Sequence, residues 1–244
     1  MRDYSKETEK RVEFIKKCVE NSGADGIVYG NSGGKDSALV GILCKMACGN
    51  TVGIIMPCES SRNFGQDMKD GLEVAEKFGI ETRVADLTGI KKSFAETLSG
   101  IAKINTKASV NINPRIRMTM LYSVAACENR LVAGTGNKSE GYMGYFTKWG
   151  DGAYDFNPIA DLTVTEIYDF LKYLGAPDCV ISKAPSAGLF DGQTDEGEMG
   201  ISYSDIDEFL LCGKASKENL EILNRFHKAS EHKRKMPLCF DDET

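Results

Sequence analysis

GNSGGKDSAL, residues 30–39, is the stretch around which the rest of this chain is organised. It follows the short apolar run 26–29 and opens into a helix-like run that ends near Met46. Glycines let a backbone turn sharply, and the first N–H groups of a helix have no intrahelical partner, so such a turn favours a bound anion. The stretch predicts a phosphate-binding loop made of Gly30, Asn31, Ser32, Gly33, Gly34, Lys35, Asp36 and Ser37.

The loop differs from the common P-loop of nucleotide-binding proteins. That motif has four residues between its glycines and a Ser or Thr directly after the lysine. Here three residues separate Gly30 from Gly34, and Asp36 follows Lys35. A carboxylate beside a phosphate is repulsive unless a cation lies between them, so Asp36 is predicted to bind Mg²⁺. The alternative is a tight strand-to-helix turn in which Asp36 is a solvated acid of the first helical turn.

Composition excludes several classes of function. The net charge of −6 over 244 residues disfavours non-specific binding to nucleic acid. Apolar runs are shorter than the roughly 18–20 residues that cross a membrane, and the charged N-terminus lacks the apolar core of a signal peptide. We therefore expect a cytoplasmic protein with a single domain, residues 1–244.

The eight cysteines stand singly, and none forms a CxxC pair. Only two histidines are present, which disfavours a zinc site. Buried free thiols in a reducing compartment are the favoured interpretation over a metal or redox role.

Apolar segments of strand length alternate with segments of helical periodicity. This pattern predicts a doubly wound, mostly parallel α/β sheet flanked by helices, with ligands at the carboxyl ends of the strands. The predicted strands are 26–29, 51–56, 81–86 and 130–134, and the predicted helices are 5–21, 37–48, 64–78, 88–99, 112–129, 165–174, 204–212 and 216–231.

Glu140 and Thr135 follow the last predicted strand and should lie at the same sheet edge as Asp36. Two carboxylates there could share Mg²⁺ with ATP phosphates, because this ion completes its shell with phosphate and water oxygens. Glu140 could instead be an exposed acid. Thr135 could contact a ligand or cap a helix.

Several charged residues could either bind a ligand or be ordinary solvent-exposed side chains. Arg115 could bind a phosphate or carboxylate, or lie on a solvated helix face. Lys148 and Asp155 lie in the glycine- and aromatic-rich loop 141–158, and loops of that length are usually functional or disordered. His232 and Lys233 could bind an anion or belong to a simple basic terminus.

SGGKDS at 32–37 resembles the pyrophosphate-binding loop of the N-type ATP pyrophosphatases, which include GMP synthetase, argininosuccinate synthetase, asparagine synthetase and tRNA thiolases. The remaining motifs resemble those of the NAD synthetase family, in the same order. They are NPRIRM at 113–118, GTGNKSE at 134–140, GYFTKWGDGAYDFNPIADL at 144–162, PSAGLFDGQTDEGEMGISYSDID at 185–207 and HKRKMP at 232–237. The resemblance implies a Rossmann-type fold of the adenine nucleotide alpha hydrolase kind.

The resemblance also implies an activity. The family amidates nicotinic acid adenine dinucleotide (deamido-NAD) with ammonia and ATP in the last step of NAD biosynthesis. An acyl-adenylate forms on the way, and the products are NAD, AMP and pyrophosphate. Loops 57–66 and 182–200 would order over the ligands and exclude water.

Roles for individual residues follow by resemblance. Residues 30–37, Thr135 and Ser186 would contact ATP, and Asp36 and Glu140 would bind Mg²⁺. Asp151 would handle the ammonium proton, with Lys148 as a second catalytic candidate. The residues that would contact deamido-NAD are Arg115, Lys148, Asp155, His232 and Lys233.

The chain departs from the family at Val164, where a lysine often reaches ATP. Either that contact is missing or another lysine, such as Lys183, supplies it.

Glutamine-using members carry an extra amidase domain, for which the synthetase motifs leave no room, so we expect ammonia to be used directly. The family also implies a homodimer, to which helix 112–129 could contribute.

Two other functions compete with this interpretation. A tRNA-thiolating enzyme would need a reactive cysteine pair and a basic surface, which the scattered cysteines and the negative charge disfavour. A non-catalytic nucleotide-binding module would bind ATP without releasing pyrophosphate.

Overall fold

Four strands form one parallel sheet within residues 2–58, 64–183 and 195–240, the parts of the chain that the computed structural model describes. The strands are β1 Gly26–Gly30, β2 Thr51–Ile55, β3 Glu81–Val84 and β4 Arg130–Ala133, in the spatial order β3-β2-β1-β4. Val28 lies at the centre, opposite Val52 of β2 and Val132 of β4. β2 is buried along its whole length, as expected of a parallel strand covered on both faces. The predicted α/β sheet is confirmed.

Helices cover the sheet and continue the chain after β4. Among the described residues, no helix combines the length and apolarity that crossing a bilayer requires. The helices are α1 Tyr4–Ser22, α2 Lys35–Ala47, α3 Gln66–Phe78, α4 Thr88–Ser99, α5 Thr106–Glu128, α6 Lys138–Met143, α7 Val164–Tyr173, α8 Asp178–Ile181, α9 Asp195–Met199, α10 Tyr203–Cys212, α11 Lys217–Ala229 and α12 Glu231–Arg234.

The sheet separates two apolar cores. On one face, Ile15 of α1, Leu39 of α2 and Phe170 of α7 pack together. On the other face, Ala125 of α5 packs with Val52 and with the strands beside it. Helices on both faces of a parallel sheet are the doubly wound arrangement. A third cluster joins α6, α7, α10 and α11 beyond the end of β4.

The strand order places a crevice at the carboxyl ends of β1 and β4. From β1 the chain moves to β2 and β3 on one side, and it later returns to β4 on the other side of β1. Connections that leave a sheet in opposite directions open a gap between two neighbouring strands, and ligands bind there in doubly wound folds. The loops 31–34 and 134–137 leave from this point.

Helix α5 is longer than predicted. It was expected to begin at residue 112, with Asn113 and Pro114 near its start, but it begins at Thr106 and contains Pro114. The Asn105 side chain accepts a hydrogen bond from the Ala108 N–H at 2.8 Å and caps the new start. Proline removes one hydrogen bond to the carbonyl four residues earlier and its ring crowds that carbonyl, yet the helix continues on both sides of Pro114.

Candidate functional site

The loop between β1 and α2 is held in a shape that only glycine allows at position 33. Gly33 has a φ of 66°, and a Cβ atom there would lie 1.9 Å from the Asp67 carbonyl oxygen. The N–H groups of residues 32, 33 and 34 donate to side chains of the loop itself, each at a long 3.3 Å. Such weak hydrogen bonds are readily exchanged for phosphate oxygens. The loop is therefore suited to bind phosphate.

Asp36 and Glu140 are held near each other by one amide side chain. The Asn137 Nδ2 atom donates to Asp36 Oδ1 at 2.9 Å. The Asn137 Oδ1 atom caps α6 by accepting from the Glu140 N–H at 2.9 Å, and Glu140 Oε2 accepts from the Asn137 N–H at 3.3 Å. Asn137 was not singled out from the sequence, although the N-x-x-E pattern of a capping box was visible there.

Lys35 is buried beneath this pair of carboxylates. Its Nζ lies 2.8 Å from Asp36 Oδ2 and 5.7 Å from the centre of the Tyr203 ring. Burial alone would lower the pKa of Lys35, but the charges of Asp36 and Glu140 raise it above its ordinary value, so the side chain stays cationic. The ammonium acts as a counter-ion for both acids.

Two acids in one low-dielectric site repel each other. Burial raises the pKa of Glu140 well above its ordinary range, the Asp36 charge adds to the increase, and Lys35 opposes it. A divalent cation between the carboxylates would reverse this effect. Within the described part of the chain, no three His, Cys, Asp or Glu side chains form a metal-binding group. Mg²⁺ nevertheless fits, because it commonly takes one or two carboxylates and fills its shell with phosphate and water.

A cavity of about 840 Å³ extends from the phosphate loop to a wall with four basic side chains, here called the cationic wall. These side chains are Arg115, Lys148, His232 and Lys233. Lys148 Nζ donates to the His232 carbonyl at 2.6 Å. Lys233 Nζ donates to the carbonyl groups of Gly144 and Phe146 at 2.7 and 2.6 Å. Arg115 joins them through a long contact of 3.4 Å to the Lys148 carbonyl. The structure thus brings together four of the five residues predicted to contact the dinucleotide, and this wall suits an anionic ligand.

Asp151 lies in the same cavity wall, one turn of the loop away from Lys148. Its carboxylate accepts the Thr147 N–H at 3.0 Å. Asp151 as a whole is exposed. The protein around its carboxylate nevertheless raises its pKa by desolvation, while the Thr147 N–H and the charges of Lys233 and Arg117 act in the opposite direction. A carboxylate with a raised pKa is a stronger base than an ordinary one.

Thr135 lines the cavity two residues after β4, and its contact with ATP stays a prediction. Asp155 instead lies outside the cavity wall and extends the sheet edge. Its carboxylate accepts from the Val132 N–H at 2.7 Å and from Tyr122 Oη at 3.2 Å. The predicted ATP contact Ser186 lies outside the described residues, as do 59–63 and 184–194 of the two predicted closing loops.

Val164 and Lys183 occupy different environments. Val164 is 3% exposed and packs in the apolar cluster between α6, α7, α10 and α11, so its own side chain cannot make the contact that a lysine there would make. Lys183 reaches the phosphate loop, where its Nζ donates to the Gly33 carbonyl at 2.9 Å.

Arg117 is a cavity residue that the sequence did not predict as part of the site. It lines the cavity, its Nε donates to the Met56 carbonyl at 3.1 Å, and burial lowers its pKa.

Comparison with known proteins agrees with this geometry. The family model described as NAD synthase matches residues 7–237. A relative named NH(3)-dependent NAD(+) synthetase, from Carboxydothermus hydrogenoformans, is 43% identical over 96% of this chain and 97% of its own length.

Two solved structures are similar over nearly their whole lengths. The NMN synthetase from Francisella tularensis has a TM-score of 0.93 and 38% identity, covering 99% of this chain and 100% of that one. The NH3-dependent NAD synthetase from Campylobacter jejuni has a TM-score of 0.81 and 34% identity, covering 98% and 100%. The chain therefore belongs to the NAD synthase family.

Proposed function

We propose that this chain joins ammonia to the nicotinate carboxylate of deamido-NAD and consumes ATP in doing so. The products are NAD, AMP and pyrophosphate, and the reaction is the last step of NAD biosynthesis. As a member of the NAD synthase family the chain is a ligase, and ATP is its co-substrate. The observation that carries the proposal is a single cavity with the phosphate loop at one end and a cationic wall at the other.

The first step needs stabilisation of a leaving group. A carboxylate oxygen of the substrate attacks the α-phosphorus, and the bond from that phosphorus to pyrophosphate breaks. Negative charge then grows on the pyrophosphate. The N–H groups of residues 32–34 and of the first turn of α2 would donate to the oxygens on which this charge develops. The long hydrogen bonds that these donors make within the loop support this role.

Mg²⁺ would be held by Asp36 and Glu140. When bound there, the ion would neutralise phosphate charge and withdraw electrons from the bridging oxygen. The closeness of the two carboxylates supports this assignment, because a cation between them would relieve the repulsion that helps to raise the pKa of Glu140. Asn137, which contacts both acids, would fix their separation.

The second step needs a base. Ammonia attacks the acyl carbon, a carbon–nitrogen bond forms, and the carbon–oxygen bond to AMP breaks. The nitrogen must lose a proton, and Asp151, which lines the cavity, would accept it. Its raised pKa favours that transfer. Lys148 would hold the acyl-adenylate beside Asp151 through its charge, which attracts the adenylate phosphate.

Dinucleotide binding would use the cationic wall. This wall lies at one end of the cavity and would bind the phosphates and the carboxylate of deamido-NAD. Its residues are Arg115, Lys148, His232 and Lys233. We keep Asp155 in this set because its exposed carboxylate, although outside the cavity wall, could accept a further hydrogen bond from a ribose hydroxyl.

The active form would be a homodimer. None of the described residues of α4 is buried, and Ile90 and Phe94 on it are about half exposed. Apolar surface of this kind on a helix beside α5 favours a second copy of the chain, related by a twofold axis.

Ammonia would be used directly by a single domain, residues 1–244. The relative named NH(3)-dependent is matched over 97% of its own length, which supports this nitrogen source. We place the reaction in the cytoplasm, where ATP and pyridine dinucleotides are available. Small molecules would be the substrates, with neither nucleic acid nor a membrane as a partner.

A second candidate product is nicotinamide mononucleotide. The solved structure with a TM-score of 0.93 is named an NMN synthetase, which keeps a mononucleotide substrate in consideration. The two candidates share the acyl-adenylate chemistry and differ in whether the substrate carries an adenylyl half.

One assay tests the proposal. Purified protein is supplied with ATP, Mg²⁺, ammonia and either deamido-NAD or nicotinic acid mononucleotide, and NAD, nicotinamide mononucleotide and AMP are measured. We expect NAD and AMP in equal amounts, at a higher kcat/KM than for the mononucleotide. A higher kcat/KM for the mononucleotide would favour the second candidate, and amidation of neither substrate would refute both.

A further inference from the structure

The ammonium group of Lys183 connects three parts of the molecule at one point. Its Nζ lies 2.9 Å from the Gly33 carbonyl oxygen in the phosphate loop. It also lies 2.7 Å from Asp67 Oδ1 and 2.7 Å from Asp70 Oδ2, both on α3. The Lys183 side chain is only 15% exposed. Hydrogen bonds of a charged donor at these distances are the strong ones.

Helix α3 itself packs directly against the loop. The Asn31 side chain donates to the Gly71 carbonyl at 3.0 Å, and Gly33 contacts the backbone of Asp67 so closely that no Cβ would fit. Asp70 is 2% exposed and also accepts from Gln66 Nε2 at 2.6 Å. Residues 67 and 70 lie one turn apart and face the same side of the helix. The lysine is therefore held by a rigid acidic surface.

The contact with Gly33 has a consequence for the next residue. The carbonyl of Gly33 and the N–H of Gly34 belong to one planar trans peptide unit and point in opposite directions. Whatever holds the carbonyl therefore also aims the N–H. Gly34 precedes α2 as its N-cap, and its N–H now makes only a 3.3 Å bond to Ser32 Oγ. This donor is among those expected to meet ATP phosphate.

We propose that Lys183 is a positioning residue for ATP, which acts by holding the Gly33 carbonyl so that the Gly34 N–H faces the phosphates. The proposal rests on the proposed function, since it assumes that ATP binds at residues 30–37. In this role Lys183 compensates for the apolar residue at 164 without touching the nucleotide. Asp67 and Asp70 keep the ammonium in place.

The experiment compares Lys183→Met with wild type in ATP affinity, measured by calorimetry, and in steady-state kinetics. We expect Kd and KM for ATP to rise about tenfold, which is the loss of one well-aimed hydrogen bond. KM for deamido-NAD should change less than twofold. The kcat should also fall, because the Gly34 N–H is one of the donors proposed to stabilise the charge that grows on pyrophosphate. Lys183→Arg should recover part of the ATP affinity. Lys172→Met, which removes an exposed lysine of α7, is the matched control and should behave as wild type.

Asp70→Asn separates positioning from direct contact. If Lys183 positions the loop, loosening its anchor weakens ATP binding. If the ammonium instead moves onto the phosphates, removing a competing carboxylate strengthens ATP binding, and the proposal is wrong. Unchanged ATP affinity in Lys183→Met would also overturn it. Should Lys183→Met fail to fold by circular dichroism, the arginine and Asp70 variants still decide. Calorimetry with ATP alone keeps this test independent of whether wild type makes NAD.

Discussion

Asn137 is the residue on which the two acidic side chains of the site depend. One end of its amide caps α6 and the other end donates to Asp36. A sequence pattern can show the capping role, since Asn followed three residues later by Glu is a capping box. It cannot show that the second half of the same amide reaches α2, because that contact joins residues 101 positions apart. Long-range contacts of this kind appear only in the folded chain.

Asn137→Ala should therefore weaken both helix capping and cation binding. Loss of the N-cap is expected to lower the free energy of unfolding by about 1 kcal/mol. Release of the Asp36 carboxylate should reduce the affinity for Mn²⁺, used as a spectroscopic substitute for Mg²⁺ in the presence of ATP, by about tenfold. Denaturant titration and electron paramagnetic resonance measure the two effects.

Asn137→Ser separates the two roles. Serine caps helices about as well as asparagine but cannot reach Asp36 with an amide. Stability should stay near that of wild type while Mn²⁺ affinity falls as in the alanine variant. Wild-type Mn²⁺ affinity in the serine variant would show that Asn137 is only a helix cap.

At the scale of secondary structure, the predicted and observed elements agree closely where nearby residues alone determine the local structure. The four strands and the helices that follow them lie within a few residues of their predicted bounds, because alternation of apolar segments with glycine-rich turns sets them. Helix α5 differs most from its predicted start, because the Asn105 cap begins it at Thr106 and it continues through Pro114. The site was less predictable. The cationic wall joins residues 115 and 233, which no local pattern relates.

Helix α1 is fastened to the segment before α7 by an ion pair. Arg11 donates to both carboxylate oxygens of Asp161, at 2.6 and 2.9 Å, and Arg2 adds a third contact at 3.0 Å. Burial tends to raise the pKa of Asp161, but the arginine hydrogen bonds and charges outweigh it, so the pKa lies below its ordinary value. The pair therefore stabilises the fold when Asp161 is ionised.

Asp161→Asn should lower the free energy of unfolding by about 1 kcal/mol at pH 7, a modest value because the carboxylate is largely exposed. A lowered folded pKa gives stability that is complete above the unfolded pKa of about 3.9 and is lost as pH falls through the folded pKa. The difference between variant and wild type in urea unfolding should thus shrink below about pH 4. A difference that stays constant into acid would contradict the ionic origin. Asp169→Asn, at an exposed acid of α7, is the control and should have little effect at either pH.

At the scale of the whole molecule, the exposed apolar side chains of α4 are not explained by a single copy of the chain. It contributes no buried residue within the described structure, although Ile90 and Phe94 are apolar. The sequence of one chain does not show which apolar side chains are buried only in an interface with a second copy, because apolar periodicity is the same for a core and for an interface. The proposed homodimer gives this surface a function.

Phe94→Glu should shift the protein from dimer to monomer, because a charge in an apolar contact between copies is costly to bury. Sedimentation velocity would show the change, while circular dichroism should show an unchanged fold. Leu211→Glu alters a similarly exposed apolar residue on α10 and should leave the dimer intact. If Phe94→Glu remained dimeric, α4 would not form the interface.

The path of one oxygen atom tests the central claim most directly. Deamido-NAD labelled with ¹⁸O in its nicotinate carboxylate is incubated with the enzyme, ATP, Mg²⁺ and ammonia, and the AMP is analysed by mass spectrometry. Attack of the carboxylate on the α-phosphorus followed by displacement at the acyl carbon transfers one carboxylate oxygen to AMP, so one ¹⁸O per AMP is predicted. AMP without the label, or ADP in place of AMP, would contradict an acyl-adenylate formed in this cavity.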